Sequence, residues 1–260
     1  MTNSGPKGCI AIIARLGSKR LKDKHLMEIK GQPIISYLIQ RIKKEFSVEV
    51  NKNHLEIFIL TGELKNNQRL LNVAVKYDIS AYCGHDTNIP MRMYELLSNK
   101  KLDFIISVDG DDILCAPEGM RQIYDSILSN FKYVKTTDYP FGMNSMGMSK
   151  EFLSHSLKNQ KNRSLETGWG WIFDENICER VSGGFNKDER LRFTLDYIED
   201  FFFFNNIIIS GFDITNTKTK FIINYVTQNN LFNNNMQITK KYWANFNKQL
   251  AEEIKGVNRG

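Results

Sequence analysis

Three groups of residues in the 260-residue chain have the types and spacing to do chemistry. The first is a basic loop, in which Arg15, Lys19, Arg20, Lys22 and Lys24 surround Gly17 and Ser18. Guanidinium and ammonium groups beside free backbone N–H groups are what a polyphosphate needs. Gly17 lets the backbone turn and approach a ligand closely. A solvated basic loop has the same composition, so chemistry alone leaves both readings open. The second group is Asp109, Asp111 and Asp112 around Gly110. Crowded carboxylates repel one another unless a cation sits among them. A few carboxylates together with substrate phosphates suit Mg²⁺. The alternative is an Asp-Gly-Asp turn that caps the next helix. The third group is Asp196 with Glu199 and Asp200, acids that also complement the dipole of a helix's first turn.

Each group needs an element to hold it. The apolar run from Cys9 reads as a buried parallel strand feeding the basic loop. Phe104 to Val108 reads as another, ending in the aspartates, and that position favours a metal over a plain turn. Leu191 to Asp196 reads as a short strand. Further strands are expected at 55–60, 79–83 and 133–137, and helices at 34–42, 66–77, 89–98, 117–130, 148–158, 217–230 and 239–255. Strands alternating with helices predict an α/β fold, a mostly parallel sheet with helices on both faces. Ligands then sit outside the carboxyl ends of the strands. His85, in the loop after the third strand, is either a base or, more commonly for a lone loop histidine, a solvated residue. The segment 138–146 reads as a loop and Asn233–Asn235 as a linker. Trp169-Gly170-Trp171 suits an aromatic ligand wall, a subunit contact or a core. The basic, amphipathic last helix is compatible with packing on the core, packing on a partner, or mobility.

Composition narrows the classes. Hydrophobic residues make up 42% and charged residues 25%, as in soluble globular proteins, and the net charge is +6. No aromatic-plus-basic pattern of the RNA-binding kind is present, so no nucleic-acid partner is expected. Cys9, Cys83, Cys115 and Cys178 have no metal or redox spacing and read as reduced thiols of a cytoplasmic protein. Residues 1–7 lack the apolar core of a signal peptide and are expected to be flexible. The most apolar run, Phe201 to Ile209, is too short to span a bilayer, so no membrane insertion is expected.

The segment Ala14-Arg15-Leu16-Gly17-Ser18-Lys19-Arg20-Leu21, with Lys24 beyond it, resembles the signature of the cytidylyltransferases that make CMP-activated acidic sugars. These include the CMP-sialate and CMP-Kdo synthetases and spore-coat polysaccharide proteins of the SpsF type. Gly110-Asp111-Asp112-Ile113-Leu114 and Asp196-Tyr197-Ile198-Glu199-Asp200-Phe201 resemble two further motifs, in the same order. Three ordered motifs are far more specific than one. There are departures: Ile13, Ile113 and Ile198 replace prolines, and Lys22-Asp23 replaces Pro-Gly.

The resemblance covers roughly residues 8–215 and implies a Rossmann-like nucleotidyltransferase fold of the GT-A type. It implies Mg²⁺-dependent attack of an acceptor hydroxyl on the α-phosphate of CTP, with release of pyrophosphate, in surface polysaccharide synthesis. The acceptor would be an acidic keto-sugar such as Kdo or a sialic acid. Carried over by residue, nucleotide contacts fall on Ala14, Arg15, Gly17, Ser18, Lys19, Arg20 and Lys24, with Arg15 and Lys24 catalytic. Asn88, Arg92 and Tyr94 would lie near the base or ribose, although Arg92 is equally readable as an exposed helix residue. Asp111 and Asp196 would hold the metal and Glu166 would line the sugar site; Asp109 has no counterpart and reads as structural, and Trp169, in a stretch unlike the family's pattern, is a further sugar-site candidate on its aromatic character. The expected organisation is a flexible segment 1–7, a catalytic domain 8–230 and a helical extension 231–260, in a homodimer. Two rivals are another nucleotide or sugar-phosphate specificity, and a lapsed nucleotide-binding protein.

Overall fold

The computed structural model describes residues 5–158, 160 and 164–257; residues 1–4 of the expected flexible segment lie outside these. Among the described residues β1 (Gly8–Ile13) is an inner strand of a seven-stranded sheet, and every residue of it is buried. It pairs in parallel with β4 (Leu55–Thr61) on one side and β6 (Phe104–Asp109) on the other. β5 (Ser80–Cys83) extends the sheet beyond β4, again in parallel. On the far side the order continues β6, β8 (Met146–Ser149), β7 (Tyr133–Thr137) and β9 (Glu179–Ser182). β8 runs antiparallel to both of its neighbours. Two two-residue strands, β2 (Glu28–Ile29) and β3 (Gln32–Pro33), form a separate ladder.

The two-residue period of the strands sorts their side chains into two cores. Ile10 and Ile12 of β1 face α1 (Ile35–Glu45), α3 (Leu64–Lys76) and α5 (Pro117–Leu128). Cys9, Ala11 and Ile13 face α4 (Ile89–Asn99) and α6 (Lys150–Ser156). Each fully buried isoleucine contributes about 2 kcal/mol of transfer free energy, so an uninterrupted apolar run is stable only between two helical layers. A third core joins α7 (Ile198–Ile209) and α8 (Thr219–Gln228) to the segment around Phe193. The short α2 (Ser47–Asn51) follows α1, and α9 (Ile238–Val257) ends the described chain.

Three expectations change, and one that the sequence left open is decided. The segment read as a loop at 138–146 runs into a strand, β8, and the helix after it begins at Lys150 rather than 148. The strand is short and carries Gly147, whose missing Cβ admits Ile123 and Ile127 of α5. Leu191–Asp196 forms no ladder; Arg192 makes a single bridge to Phe141. The Asn233–Asn235 linker is an integrated turn, with Asn235 fully buried and donating to Asp200 Oδ1 at 2.9 Å and to the Arg192 carbonyl at 3.1 Å. α9 packs on the core: the Glu253 carboxylate accepts from the Thr167 N–H, and Asn245 donates to the Tyr197 hydroxyl.

Candidate active site

A cleft of about 990 Å³ opens at the carboxyl ends of β1 and β6, where parallel strands leave their loops. The basic loop leaves β1 at Ala14, whose N–H donates to the Leu60 carbonyl. Asn67 of α3 then accepts from the Leu16 N–H at 3.0 Å, and Ser18 Oγ accepts from the Leu21 N–H. Gly17 has no left-handed backbone, and a Cβ there would meet nothing within 4 Å. Asp23 has that backbone instead, at φ 52° and ψ 26°. The left-handed conformation that suits a glycine before Lys24 is therefore kept by one of the few side chains that tolerate it.

The turn at Asp23 delivers Lys24 and His25 into the cleft floor, 5% and 2% exposed. The Lys24 ammonium donates to Asp111 Oδ2 and, at 3.1 Å, to Asp196 Oδ1. His25 Nε2 lies 2.6 Å from Asp111 Oδ1. Arg20 Nη2 donates to Asp196 Oδ1 at 2.5 Å, and Arg192 Nη2 to Asp196 Oδ2 at 3.1 Å. Two carboxylates distant in sequence thus converge on one ammonium. Their backbones are fixed independently. The Gly110 N–H donates to the Ile13 carbonyl at 2.7 Å, locking the end of β6 to β1. Any Cβ on Gly110 would come within 2.9 Å of Ala14 Cβ. Asp200, fully buried at the start of α7, accepts from the Asp196 and Tyr197 N–H groups and from Arg192.

The charges follow from this packing. Burial alone would neutralise Lys24, but Asp111 and Asp196 keep it protonated and raise its pKa. Burial likewise opposes the Asp111 charge, and Lys24 with His25 more than offsets it, holding the carboxyl well below the usual range. Asp109 opens onto the cleft; enclosure by the cleft floor and repulsion from Asp111 push its carboxyl up. Asp112 is pushed up by burial and by Asp109, against a hydrogen bond to the Thr194 side chain.

At the mouth, the half-exposed Arg15 pairs with Glu166. Exposed pairs of this kind are worth about 0–1 kcal/mol, so a ligand can open it. Arg92 is buried, not exposed, and lines the cleft while donating to the carbonyls of His85 and Asp86 at 2.8 and 2.7 Å. Ala14, Gly17, Ser18 and Lys19 also line the cleft. Asn88 does not line it: its amide caps α4 by accepting from the Met91 N–H and donates to the Gln160 carbonyl. Tyr94 borders a separate groove beside Asp103, at the amino end of β6. Trp169 reaches the cleft but is mostly core, edge-on to Phe173 at 6.0 Å, whereas Trp171 points outward. His85 accepts from the Asn88 N–H through Nδ1, ordering its own loop.

Several lining residues escaped the sequence reading. His25 and Thr194 line the floor beside Asp112, and Tyr242, Phe246 and Gln249 of α9 form one wall. The four-residue spacing of Tyr242 and Phe246 was the available signal for that wall. The Tyr242 ring lies 4.5 Å from the Arg192 guanidinium, tying the wall to the Asp196 support.

A profile of the family described as cytidylyltransferase matches residues 9–238. The chain belongs to the cytidylyltransferase family. As a cytidylyltransferase it has wide-ranging relatives. Protein MJ1063 of Methanocaldococcus jannaschii is 25% identical over 224 residues, 84% of this chain and 89% of its own length. A 3-deoxy-manno-octulosonate cytidylyltransferase of Idiomarina loihiensis is 26% identical over 118 residues, 45% of this chain and 44% of that enzyme. A solved cytidylyltransferase from Leptospira borgpetersenii superposes with a TM-score of 0.76 at 18% identity, covering 88% of this chain and 98% of the other. α9 lies almost wholly outside the residues matched by the family profile.

Proposed function

We propose that this cytidylyltransferase moves CMP from CTP to the hydroxyl of an acidic keto-sugar of the Kdo or sialic acid kind, with Mg²⁺. The observation that carries the reading is the convergence of Asp111 and Asp196 on the Lys24 ammonium beneath the basic loop. The match to the Kdo cytidylyltransferase over 118 residues supports the acceptor class.

The donor set suits Mg²⁺. Among the described residues no three His, Cys, Asp or Glu side chains form a ready-made cage. Mg²⁺ commonly takes one or two carboxylates and completes its shell with phosphates and water. Asp111 and Asp196 would hold the ion. Once bound, it would neutralise phosphate charge and lower the pKa of the acceptor hydroxyl.

The chain's own residues do the rest. Lys19, Arg20 and the loop N–H groups bind the triphosphate. Arg15 leaves Glu166 and, with Lys24, neutralises charge as it develops on the phosphates. Arg92 borders the nucleotide. The acceptor oxygen bonds to the α-phosphorus, the bond to the β-phosphate oxygen breaks, pyrophosphate leaves with that electron pair, and the hydroxyl proton is released. Glu166 and Trp169 border the acceptor.

Pyrophosphate release from CTP, Mg²⁺ and a panel of acidic keto-sugars tests the reading. Release with one sugar, abolished by EDTA, is the expected result. Absence of release, together with absence of CTP binding by calorimetry, would leave a catalytically lapsed scaffold.

A further inference from the structure

Resting on that reading of Asp111 and Asp196, we propose that His25 is the positioning residue for Asp111, fixing one carboxylate oxygen so that the other faces the metal position. The Asp111 carboxylate is held at both oxygens by neighbouring residues of one turn. His25 Nε2 meets Oδ1 at 2.6 Å and Lys24 Nζ meets Oδ2. Because Asp111 is ionised it can only accept, so the Nε2–H donates.

The two contacts differ in kind. Lys24 is an unbranched chain that can swing toward a phosphate. His25 has two side-chain torsions, is 2% exposed, and is wedged above Gly110, where a Cβ would stand 3.2 Å from Nε2. Its Nδ1 is buried and has no partner among the described residues, so its hydrogen bonding is directed at Asp111. With Oδ1 fixed by His25, Oδ2 points to the place where Asp196 Oδ1 also points, the place Lys24 Nζ now fills. A carboxylate gripped from behind in this way ligates without first paying to order itself.

The test is Mn²⁺ binding at saturating CTP without acceptor, followed by calorimetry and by the electron paramagnetic resonance signal of free Mn²⁺. The proteins are wild type, H25Q, whose amide can still donate to Oδ1, and H25L, which fills the space without a donor. Loss of such a supporting hydrogen bond typically weakens metal binding about 10–100-fold, and that is expected for H25L. H25Q should stay within about threefold of wild type. CTP binding in EDTA should match across the three, which a general disruption of the basic loop would not allow. If H25L does not melt cooperatively, H25N, too short to reach Oδ1, replaces it in the comparison. Wild-type Mn²⁺ affinity in the donorless variant overturns the inference, as does an H25Q loss equal to that of H25L. If wild type itself binds CTP but no Mn²⁺, the reading of the carboxylate pair fails, a result distinct from either.

Discussion

Replacing Lys24 by methionine keeps an unbranched side chain one atom shorter and removes its charge. In the native cleft that charge is shared by Asp111 and Asp196, whose side chains are 24% and 3% exposed. Two oxygens that reach one nitrogen lie within ~5 Å of each other, and unscreened at that separation they repel by about 3 kcal/mol at an effective dielectric near 20. Asp196 keeps Arg20 and Arg192, and Asp111 keeps His25, so the loss should not exceed this. For a chain of this size 3 kcal/mol corresponds to a fall of about 6–12 °C in melting temperature. On the proposed function Mg²⁺ would bind between the same carboxylates and replace the missing charge, so it should stabilise K24M more than wild type. Differential scanning fluorimetry in EDTA and then across a Mg²⁺ series measures both effects. An unchanged melting point in EDTA, or equal Mg²⁺ stabilisation of the two proteins, would refute the idea that Lys24 is the internal counter-ion of this pair.

R15A should leave the melting temperature almost unchanged, since Arg15 is half-exposed, while raising the KM for CTP at least tenfold in the pyrophosphate assay. G110A should cost about 1–3 kcal/mol by chemical denaturation and depress kcat, because the new Cβ drives β6 away from Ala14. E49Q tests a site far from the chemistry: Arg121 donates to both Glu49 oxygens, at 2.6 and 3.0 Å, joining α2 to α5. The Arg121 hydrogen bond, more than opposing burial, lowers the Glu49 pKa, so its contribution is complete above the ordinary glutamate value and disappears as pH falls through the depressed one. Urea midpoints should therefore separate E49Q from wild type by about 1–2 kcal/mol at pH 7 and converge in strong acid.

What the sequence discloses here is what local pattern can carry. The run from Cys9 is apolar at every position because this inner strand has a helical layer on each face, and that condition leaves a one-dimensional trace. The strand at Phe104 is legible for the same reason. β8 is not: it is four residues long, has no β-branched member, and exists because β6 and β7 leave a gap that it fills. Leu191–Asp196 looks like a strand because it is fully buried, but its hydrogen bonds go to Phe141, Asp111 and Asp200 rather than to a ladder. Arg92 could be read as exposed because the carbonyls that receive it belong to a loop bending back over its own helix. The sequence likewise cannot tell that Asn235 reaches back to Arg192 and Asp200, or that α9 closes a wall of the cleft.

The pairing of Lys24 with Asp196 spans 172 residues. Loop-closure entropy makes contacts of that range among the last to be gained when a chain folds. As the chain leaves the ribosome its basic loop appears first, and the acids that compensate Lys24 arrive only with β6 and the turn before α7. Any intermediate that has assembled β1 and β4 alone therefore carries an uncompensated cationic loop, a species prone to capture by polyanions. Catalysis is then a reporter of complete folding, and a defect at Asn235 or in α7 should appear as missing activity in nascent chains before it appears as missing helix.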